Sequence, residues 1–249
     1  MTEKGRLQQS RADITSSLEA ALRPPQPIPG FAPRRAERVE VAALPGWFVD
    51  CCRRIYMSIP GGGDHSRTIG ITSTLAGEGK TSVALGIATA LASDTREPTL
   101  LLECDLERSS LARICGCAPS PGLREWVENL SPLRIVRSSV DNLFIIPAGT
   151  PPSDPARLIW ELAESKLVAS LAAEFRNTVI DLPALVTSSS GTLAARLADQ
   201  LVLVVRSATT PVDEVERAVE LIGRERFAGA VLNAHIPRRL PWGRRRQLC

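Results

Sequence analysis

The sequence has 249 residues, of which 44% are hydrophobic and 23% are charged, as expected for one globular α/β domain with a packed core. Its formal net charge is only +3, so the overall charge of the chain does not indicate a nucleic-acid-binding protein. The six cysteines include no CxxC pair and there are only two histidines, which argues against a zinc site. The longest clean apolar stretch, Leu201–Val205, is too short to span a bilayer. With no leader sequence recognised, reduced thiols in the cytoplasm are the simplest interpretation.

The chain divides into three predicted parts. Residues 1–43 are predicted to be an extension in which Ser16–Glu19 matches a helix capping box and Arg23–Gly30 is a proline-rich linker. Residues 44–236 are predicted to be the main domain, which begins with a helix at Trp47–Met57. Residues 237–249 are a tail with five arginines.

Apolar runs alternate with stretches of helical length from Thr68 onwards. The predicted strands are Thr68–Thr72, Thr99–Glu103, Leu143–Pro147, Thr178–Asp181, Leu201–Arg206 and Gly229–Asn233. The predicted helices are Lys80–Ser93, Leu123–Leu130, Pro155–Phe175, Thr192–Ala198 and Val212–Arg224. Strands that are apolar on both faces and alternate with helices predict a mostly parallel sheet with helices on both faces, the α/β architecture of P-loop NTPases. In such sheets ligands bind at the carboxyl ends of the strands.

The first predicted strand leads into a phosphate-binding loop. Residues Thr74–Thr81 follow the Walker A pattern, except that Thr74 replaces its first glycine. Glycines allow backbone N–H groups to turn towards phosphates, and the helix that follows adds its positive dipole. Lys80 provides a compact charge for the terminal phosphates, and Thr81 offers a hydroxyl to Mg²⁺. The predicted nucleotide-binding residues of this segment are Thr74, Gly77, Glu78, Gly79, Lys80, Thr81 and Ser82.

Carboxylates end two of the predicted strands. Glu103 and Asp105 follow one apolar run and lie on the same face of it by alternation. Beside a phosphate loop they suit Mg²⁺, a water or a reacting hydroxyl, although Asp105 is equally suited to cap a helix. Asp181 ends a strand of Walker B form and is placed to hold Mg²⁺. The predicted metal ligands are therefore Thr81, Asp105 and Asp181, and the predicted cofactors are ATP and Mg²⁺.

These three motifs together resemble the bacterial tyrosine kinases (BY-kinases) of capsule and exopolysaccharide synthesis, a branch of the ParA/MinD P-loop ATPases. The resemblance covers roughly residues 45–235 and rests on Thr74–Thr81, Leu100–Glu107 and Val179–Ala184. It implies that Asn233 lies near the adenine. Leu75 stands where the partitioning ATPases have a signature lysine, which favours the BY-kinase branch.

The chain also departs from the family pattern. Glu103 replaces the aspartate that in the family helps to deprotonate the target tyrosine, so the resemblance makes Lys80, Glu103 and Asp105 the catalytic candidates. Glu107 replaces an arginine of the same motif. The family's autokinases end in a tyrosine cluster, whereas the only tyrosine of this chain is Tyr56.

Two functions follow as alternatives. One is an ATP-dependent protein-tyrosine kinase that acts on another protein, and the other is a nucleotide-dependent regulator of polysaccharide synthesis or export that does not phosphorylate tyrosine. The missing tyrosine cluster and Glu103 favour the regulator, and a positioning ATPase is a remote third interpretation.

The resemblance also implies partners and a location. The family works with a membrane chain-length adaptor and assembles as homo-oligomers through a helix pattern that is here replaced by Asp50, Arg53 and Tyr56. The arginine-rich tail is interpreted either as an inert solubilising segment or as a contact with anionic lipid at the inner surface of the membrane. We therefore expect a cytoplasmic protein, with peripheral membrane contact under the second interpretation.

Overall fold

The computed structural model describes residue 41 and residues 44–60 and 67–234. The helix predicted at Ser16–Glu19, the linker at Arg23–Gly30 and the tail at 237–249 lie outside the described residues. Within the described ranges, no helix has the length and apolarity needed to cross a bilayer.

The strands form one mostly parallel sheet. They are β1 (Arg67–Ser73), β2 (Thr99–Glu103), β3 (Val136–Arg137), β4 (Leu143–Ile146), β5 (Asn177–Asp181), β6 (Gln200–Arg206) and β7 (Phe227–Asn233). Their order in the sheet is β3-β4-β2-β5-β1-β6-β7, and all neighbours are parallel except the pair β3 and β4. The register aligns Glu103 of β2 with Asp181 of β5, and Ile71 of β1 with the same aspartate. The carboxyl ends of β1, β2 and β5 therefore meet at one edge of the sheet, as the sequence predicted.

Helices cover both faces of the sheet. They are α1 (Gly46–Ser58), α2 (Lys80–Thr95), α3 (Leu111–Ile114), α4 (Leu123–Val127), α5 (Pro155–Glu164), α6 (Leu167–Glu174), α7 (Gly191–Ala194) and α8 (Val212–Ile222), with short 3₁₀ turns at Ala195–Leu197 and Arg224–Arg226. Alternate residues of β2 contribute to different cores, since Leu100 and Leu102 face the core beneath α5 and α6, whereas Leu101 faces the core beneath α1 and α2. The predicted fold class is confirmed.

The structure corrects one predicted helix and adds two short elements. The single helix predicted for Pro155–Phe175 is two helices, because Lys166 adopts a left-handed conformation with a φ of 56°. Ser165 stabilises this break, since its hydroxyl donates to the carbonyl of Leu162 and accepts from the N–H of Leu167. The short elements β3 and α3 were not predicted, since two to four residues carry too little periodic pattern.

Helix α1 is attached to α2 by close packing and by a polar cluster. Gly86 permits the approach, because a Cβ at this position would overlap the side chains of Cys52 and Phe48. Further along, Arg53 binds both carboxylate oxygens of Asp94 at 2.6 and 2.8 Å, and the hydroxyl of Tyr56 donates to the same carboxylate at 2.7 Å. The only tyrosine of the chain is thus 9% exposed and held within a helix.

Candidate nucleotide site

The loop between β1 and α2 is shaped by two glycines with left-handed backbone. Gly77 has a φ of 84° and Gly79 a φ of 91°, values that residues with a Cβ rarely adopt. Gly79 is the residue before α2, so the N–H groups at the beginning of that helix face the loop. A turn of this kind before a helix is the arrangement that binds phosphate groups in proteins.

Asn233 fixes this loop from the end of β7. Its amide nitrogen donates to the backbone carbonyl of Glu78 at 2.8 Å. The same nitrogen lies so close to Gly79 that a Cβ there would overlap it. The distant Asn233, predicted to bind nucleotide by resemblance alone, therefore lies against the loop. It also borders a groove of about 610 Å³ lined by side chains of α1 and β7, among them Phe48.

The side chain of Lys80 lies between two carboxylates at the ends of neighbouring strands. Its ammonium nitrogen is 2.5 Å from Oδ2 of Asp105 and 3.4 Å from Oδ1 of Asp181. The three side chains are 8%, 5% and 0% exposed, respectively. The structure thus brings together three of the predicted site residues that are 25 to 101 positions apart in the sequence.

Burial and charge act in opposite directions on this cluster. Burial alone would lower the pKa of Lys80, but the carboxylates of Asp181 and Asp105 outweigh it and raise that pKa, so the lysine stays charged. Burial raises the pKa of Asp181, against the attraction of Lys80 and a hydrogen bond with Thr81. The net effect is a raised pKa for Asp181, and Lys80 is the strongest of the contacts that oppose this rise.

The residues at this edge fit a hydrated Mg²⁺ ion. Oδ2 of Asp181 is buried and has no hydrogen-bond partner among the described residues. The hydroxyl of Thr81 is bonded to Asp181 and accepts from the hydroxyl of Ser110 at 3.3 Å. An unpartnered carboxylate oxygen beside a hydroxyl at a phosphate loop matches the oxygen ligands that Mg²⁺ prefers. Asp105 would complete the set when Lys80 turns towards phosphate.

Glu103 has a different environment from the one that its predicted catalytic role implies. It is fully buried, and its carboxylate accepts hydrogen bonds from the backbone N–H groups of Ser110, Leu111 and Ala148 at 2.6, 2.7 and 3.0 Å. Burial raises its pKa, and the three N–H groups oppose that shift without cancelling it. These contacts hold the loop after β2 against the end of β4. The catalytic role of Glu103 stays a prediction, and its contacts support a positioning role.

The side chain of Glu78 also points away from the phosphate loop's concave side. One of its oxygens accepts from the N–H of Leu75 at 2.9 Å, and the other accepts from the N–H of Arg206 at 3.2 Å and from the hydroxyl of Thr210. Thr74 is likewise fully buried, and its carbonyl accepts from the N–H of Val186 at 3.2 Å. Of the predicted binding residues, these two face the surrounding structure rather than the pocket.

The pocket itself has a volume of about 320 Å³ and includes residues that the sequence did not indicate. Its predicted members are Gly77, Gly79, Lys80, Thr81, Ser82 and Asp105, and its further members include Glu107, Arg108, Ser110, Arg113, Thr187 and Ser188. Arg108 directly follows Glu107, so a positive charge lines the pocket one residue beyond the arginine position of the motif. An arginine directly after the motif's arginine position is the sequence signal that could have identified Arg108 as a pocket residue. Thr187 and Ser188 carry no such signal, because they belong to a loop without a motif.

Comparison with known proteins gives relatives named as tyrosine-protein kinases and one named for succinoglycan biosynthesis transport. No family model matches the chain. The tyrosine-protein kinase CpsD of Streptococcus agalactiae is 26% identical over 176 residues, which make up 69% of this chain and 76% of that protein. The succinoglycan biosynthesis transport protein ExoP of Rhizobium meliloti (strain 1021) is 32% identical over 186 residues, which make up 72% of this chain and only 23% of ExoP.

The solved structures agree with these relatives. The kinase domain of VpsO is 28% identical and superimposes with a TM-score of 0.67, over 75% of this chain and 95% of that domain.

Proposed function

We propose that this chain is a member of the bacterial tyrosine kinase (BY-kinase) family, that it binds Mg-ATP and that it regulates capsular or exopolysaccharide synthesis or export. The observation that carries the proposal is the position of Lys80, which lies at the phosphate loop between Asp105 and Asp181. In the bound state the lysine would turn to the terminal phosphates, and the two carboxylates would face the metal. The loop N–H groups would orient the nucleotide, and a bound Mg²⁺ would supply charge neutralisation.

Calorimetry of ATP binding tests this proposal. Lys80→Ala should lose measurable affinity, but it also leaves two buried carboxylates without their counter-charge, which costs roughly 3–5 kcal/mol of stability. Lys80→Arg is therefore the sharper variant, because it keeps the charge while its planar group cannot replace a compact ammonium in a tight loop. A folded Lys80→Arg protein should fail to bind, and equal affinity of that variant and the wild type would refute the proposal.

Tyrosine autophosphorylation is not part of the proposed function. Tyr56 is held in α1, its hydroxyl donates to Asp94, and burial together with that contact raises its pKa to about 12. A tyrosine packed in a helix cannot extend into the phosphate pocket of a neighbouring copy. Its environment supports a regulator that lacks the autokinase reaction.

Phosphorylation of a tyrosine on another protein is the second candidate, favoured by the names of the relatives and by Asp105 at the pocket. Incubation with Mg-ATP and a random glutamate–tyrosine copolymer distinguishes the two. Phosphotyrosine that forms on the copolymer, and that is lost in Lys80→Arg, would establish the kinase. ATP binding without such transfer would establish the regulator.

Membership of this family also implies a binding partner. We propose a membrane chain-length adaptor of a polysaccharide export system, which would bring the chain to the inner surface of the membrane. Self-association into a ring needs the face of α1 that carries Arg53, and that residue already binds Asp94 within the same chain. The adaptor is thus the better supported of the two assemblies.

A further inference from the structure

A serine hydroxyl and a carboxylate form a pair at the rim of the pocket. The hydroxyl of Ser188 donates to Oε1 of Glu107 at 2.7 Å. Both residues line the pocket that also contains Lys80 and Thr81. Glu107 belongs to the loop after β2, and Ser188 belongs to the loop after β5, so the pair joins two loops across the pocket.

The loop that carries Ser188 runs along the first turn of the phosphate loop. The N–H of Leu185 donates to the carbonyl of Ser73 at 2.9 Å, and the N–H of Val186 donates to Thr74. The next residue, Thr187, accepts from the N–H of Ala76 at 3.2 Å. Ser188 thus follows directly after a residue bonded to the phosphate loop.

Ser188 differs from the two serines that follow it. Ser189 donates to the same carboxylate oxygen at a longer distance of 3.2 Å and does not line the pocket. Ser190 is fully buried, and its hydroxyl is 3.5 Å from Glu107. Of the three hydroxyls, that of Ser188 alone combines a short bond to Glu107 with a place in the pocket lining.

We propose that Ser188 accepts the terminal phosphoryl group of the bound ATP, an autophosphorylation on serine in a chain that lacks the tyrosine cluster. This inference rests on the proposed binding of Mg-ATP. The bond between the γ-phosphorus and the β,γ-bridging oxygen breaks, and a bond between that phosphorus and Oγ of Ser188 forms. ADP leaves with the electron pair of the broken bond, and the hydroxyl proton passes to water at the open rim.

Glu107 acts here as a positioning residue. Its carboxylate accepts from the hydroxyl of Ser188, whose oxygen also accepts from the N–H of Ser190 at 3.2 Å and lies 3.1 Å from the hydroxyl oxygen of Ser190. These contacts fix the position of Oγ at the pocket. Arg108 and Arg113, which line the same pocket, provide positive charge for the transferred group. After transfer, the phosphoserine and Glu107 would carry like charges, so the contact between the two loops would open.

Mass spectrometry after incubation with Mg-ATP tests the acceptor. Trypsin cleavage after Arg176 and Arg196 releases residues 177–196, a peptide that holds all three serines. We expect phosphate on Ser188, its loss in Ser188→Ala and its retention in the neighbouring control Ser189→Ala. An unphosphorylated peptide from a protein that binds ATP, or phosphate on Ser189 alone, would overturn the inference. Absence of ATP binding in calorimetry would instead refute the proposed function.

The role of Glu107 is tested by the rate of the same reaction. Glu107→Ala should slow phosphorylation of Ser188 by roughly tenfold or more, since orientation of a reacting group contributes at least that much. Glu107→Gln keeps an acceptor oxygen and should restore most of the rate. The rates are compared at saturating Mg-ATP, and the ATP affinity of each variant is measured by calorimetry, so that an effect on transfer is separated from an effect on binding. An unchanged rate in Glu107→Ala would remove Glu107 from the proposal.

Discussion

Replacement of Gly79 by alanine tests how the phosphate loop is held. The wild-type residue has a φ of 91°, and a Cβ there would overlap the amide nitrogen of Asn233. That nitrogen donates to the carbonyl of Glu78 at 2.8 Å. Gly79→Ala therefore has two costs, one from the backbone conformation and one from displacement of Asn233.

The magnitude follows from these two terms. A left-handed conformation costs a residue with a Cβ roughly 1–2 kcal/mol. Loss of the hydrogen bond from Asn233 costs about 1 kcal/mol. The free energy of unfolding should thus fall by about 2–3 kcal/mol, a large share of the roughly 5–15 kcal/mol that stabilises a typical domain.

Urea unfolding of the nucleotide-free protein measures this effect against a matched control. Gly77 also has a positive φ, of 84°, but a Cβ there would meet no atom within 4 Å, so Gly77→Ala should cost only the backbone term. Combining Gly79→Ala with Asn233→Ala should cost about 1 kcal/mol less than the sum of the single variants, because both remove the same hydrogen bond. Equal costs for the two glycines, together with additive double-variant values, would refute this account.

Three further predictions concern other parts of the molecule. Burial opposes ionisation of Glu125, but hydrogen bonds from Thr150 and Gly122 lower its pKa to about 2. In urea titrations, Glu125→Gln should lower the free energy of unfolding by about 2 kcal/mol at pH 7. This difference from the wild type should vanish as the pH falls from about 4.5 to about 2. Tyr56 should remain unmodified after incubation with Mg-ATP, and stoichiometric phosphate on it in mass spectrometry would restore the autokinase. Asp105→Asn and Asp181→Asn should each raise the Mg²⁺ concentration needed for tight ATP binding by roughly tenfold or more, and an unchanged Mg²⁺ titration in calorimetry would contradict the metal assignment.

The sequence predicts the sheet well, because strands buried on both faces appear in the sequence as unbroken apolar runs. The five residues Thr99–Glu103 are predicted with the bounds that the structure has. The break at Lys166 is not predictable in this way, since the segment around it has apolar residues at helical spacing and no glycine or proline. Only the tertiary environment places Ser165 so that its hydroxyl stabilises the break.

The candidate site is predictable to a similar extent. The sequence places Lys80 after β1, Asp105 after β2 and Asp181 at the end of β5, and the structure brings these three side chains together. The partners of Glu103 are backbone N–H groups, one of which belongs to Ala148, 45 residues away. Backbone groups have no signature in a sequence, so the direction of a buried carboxylate is decided only when the chain is folded.

The carboxylate of Glu78 has a mechanical consequence for the whole sheet. It ties the amide of Leu75 to that of Arg206 at the end of β6, while the carbonyl of the same residue is bonded to Asn233 at the end of β7. Any displacement of the phosphate loop must either carry the last two strands with it or break these bonds. The exchange rates of the Leu75 and Arg206 amide protons with solvent deuterium are therefore coupled, and they give a direct readout of strain between the loop and the far edge of the sheet.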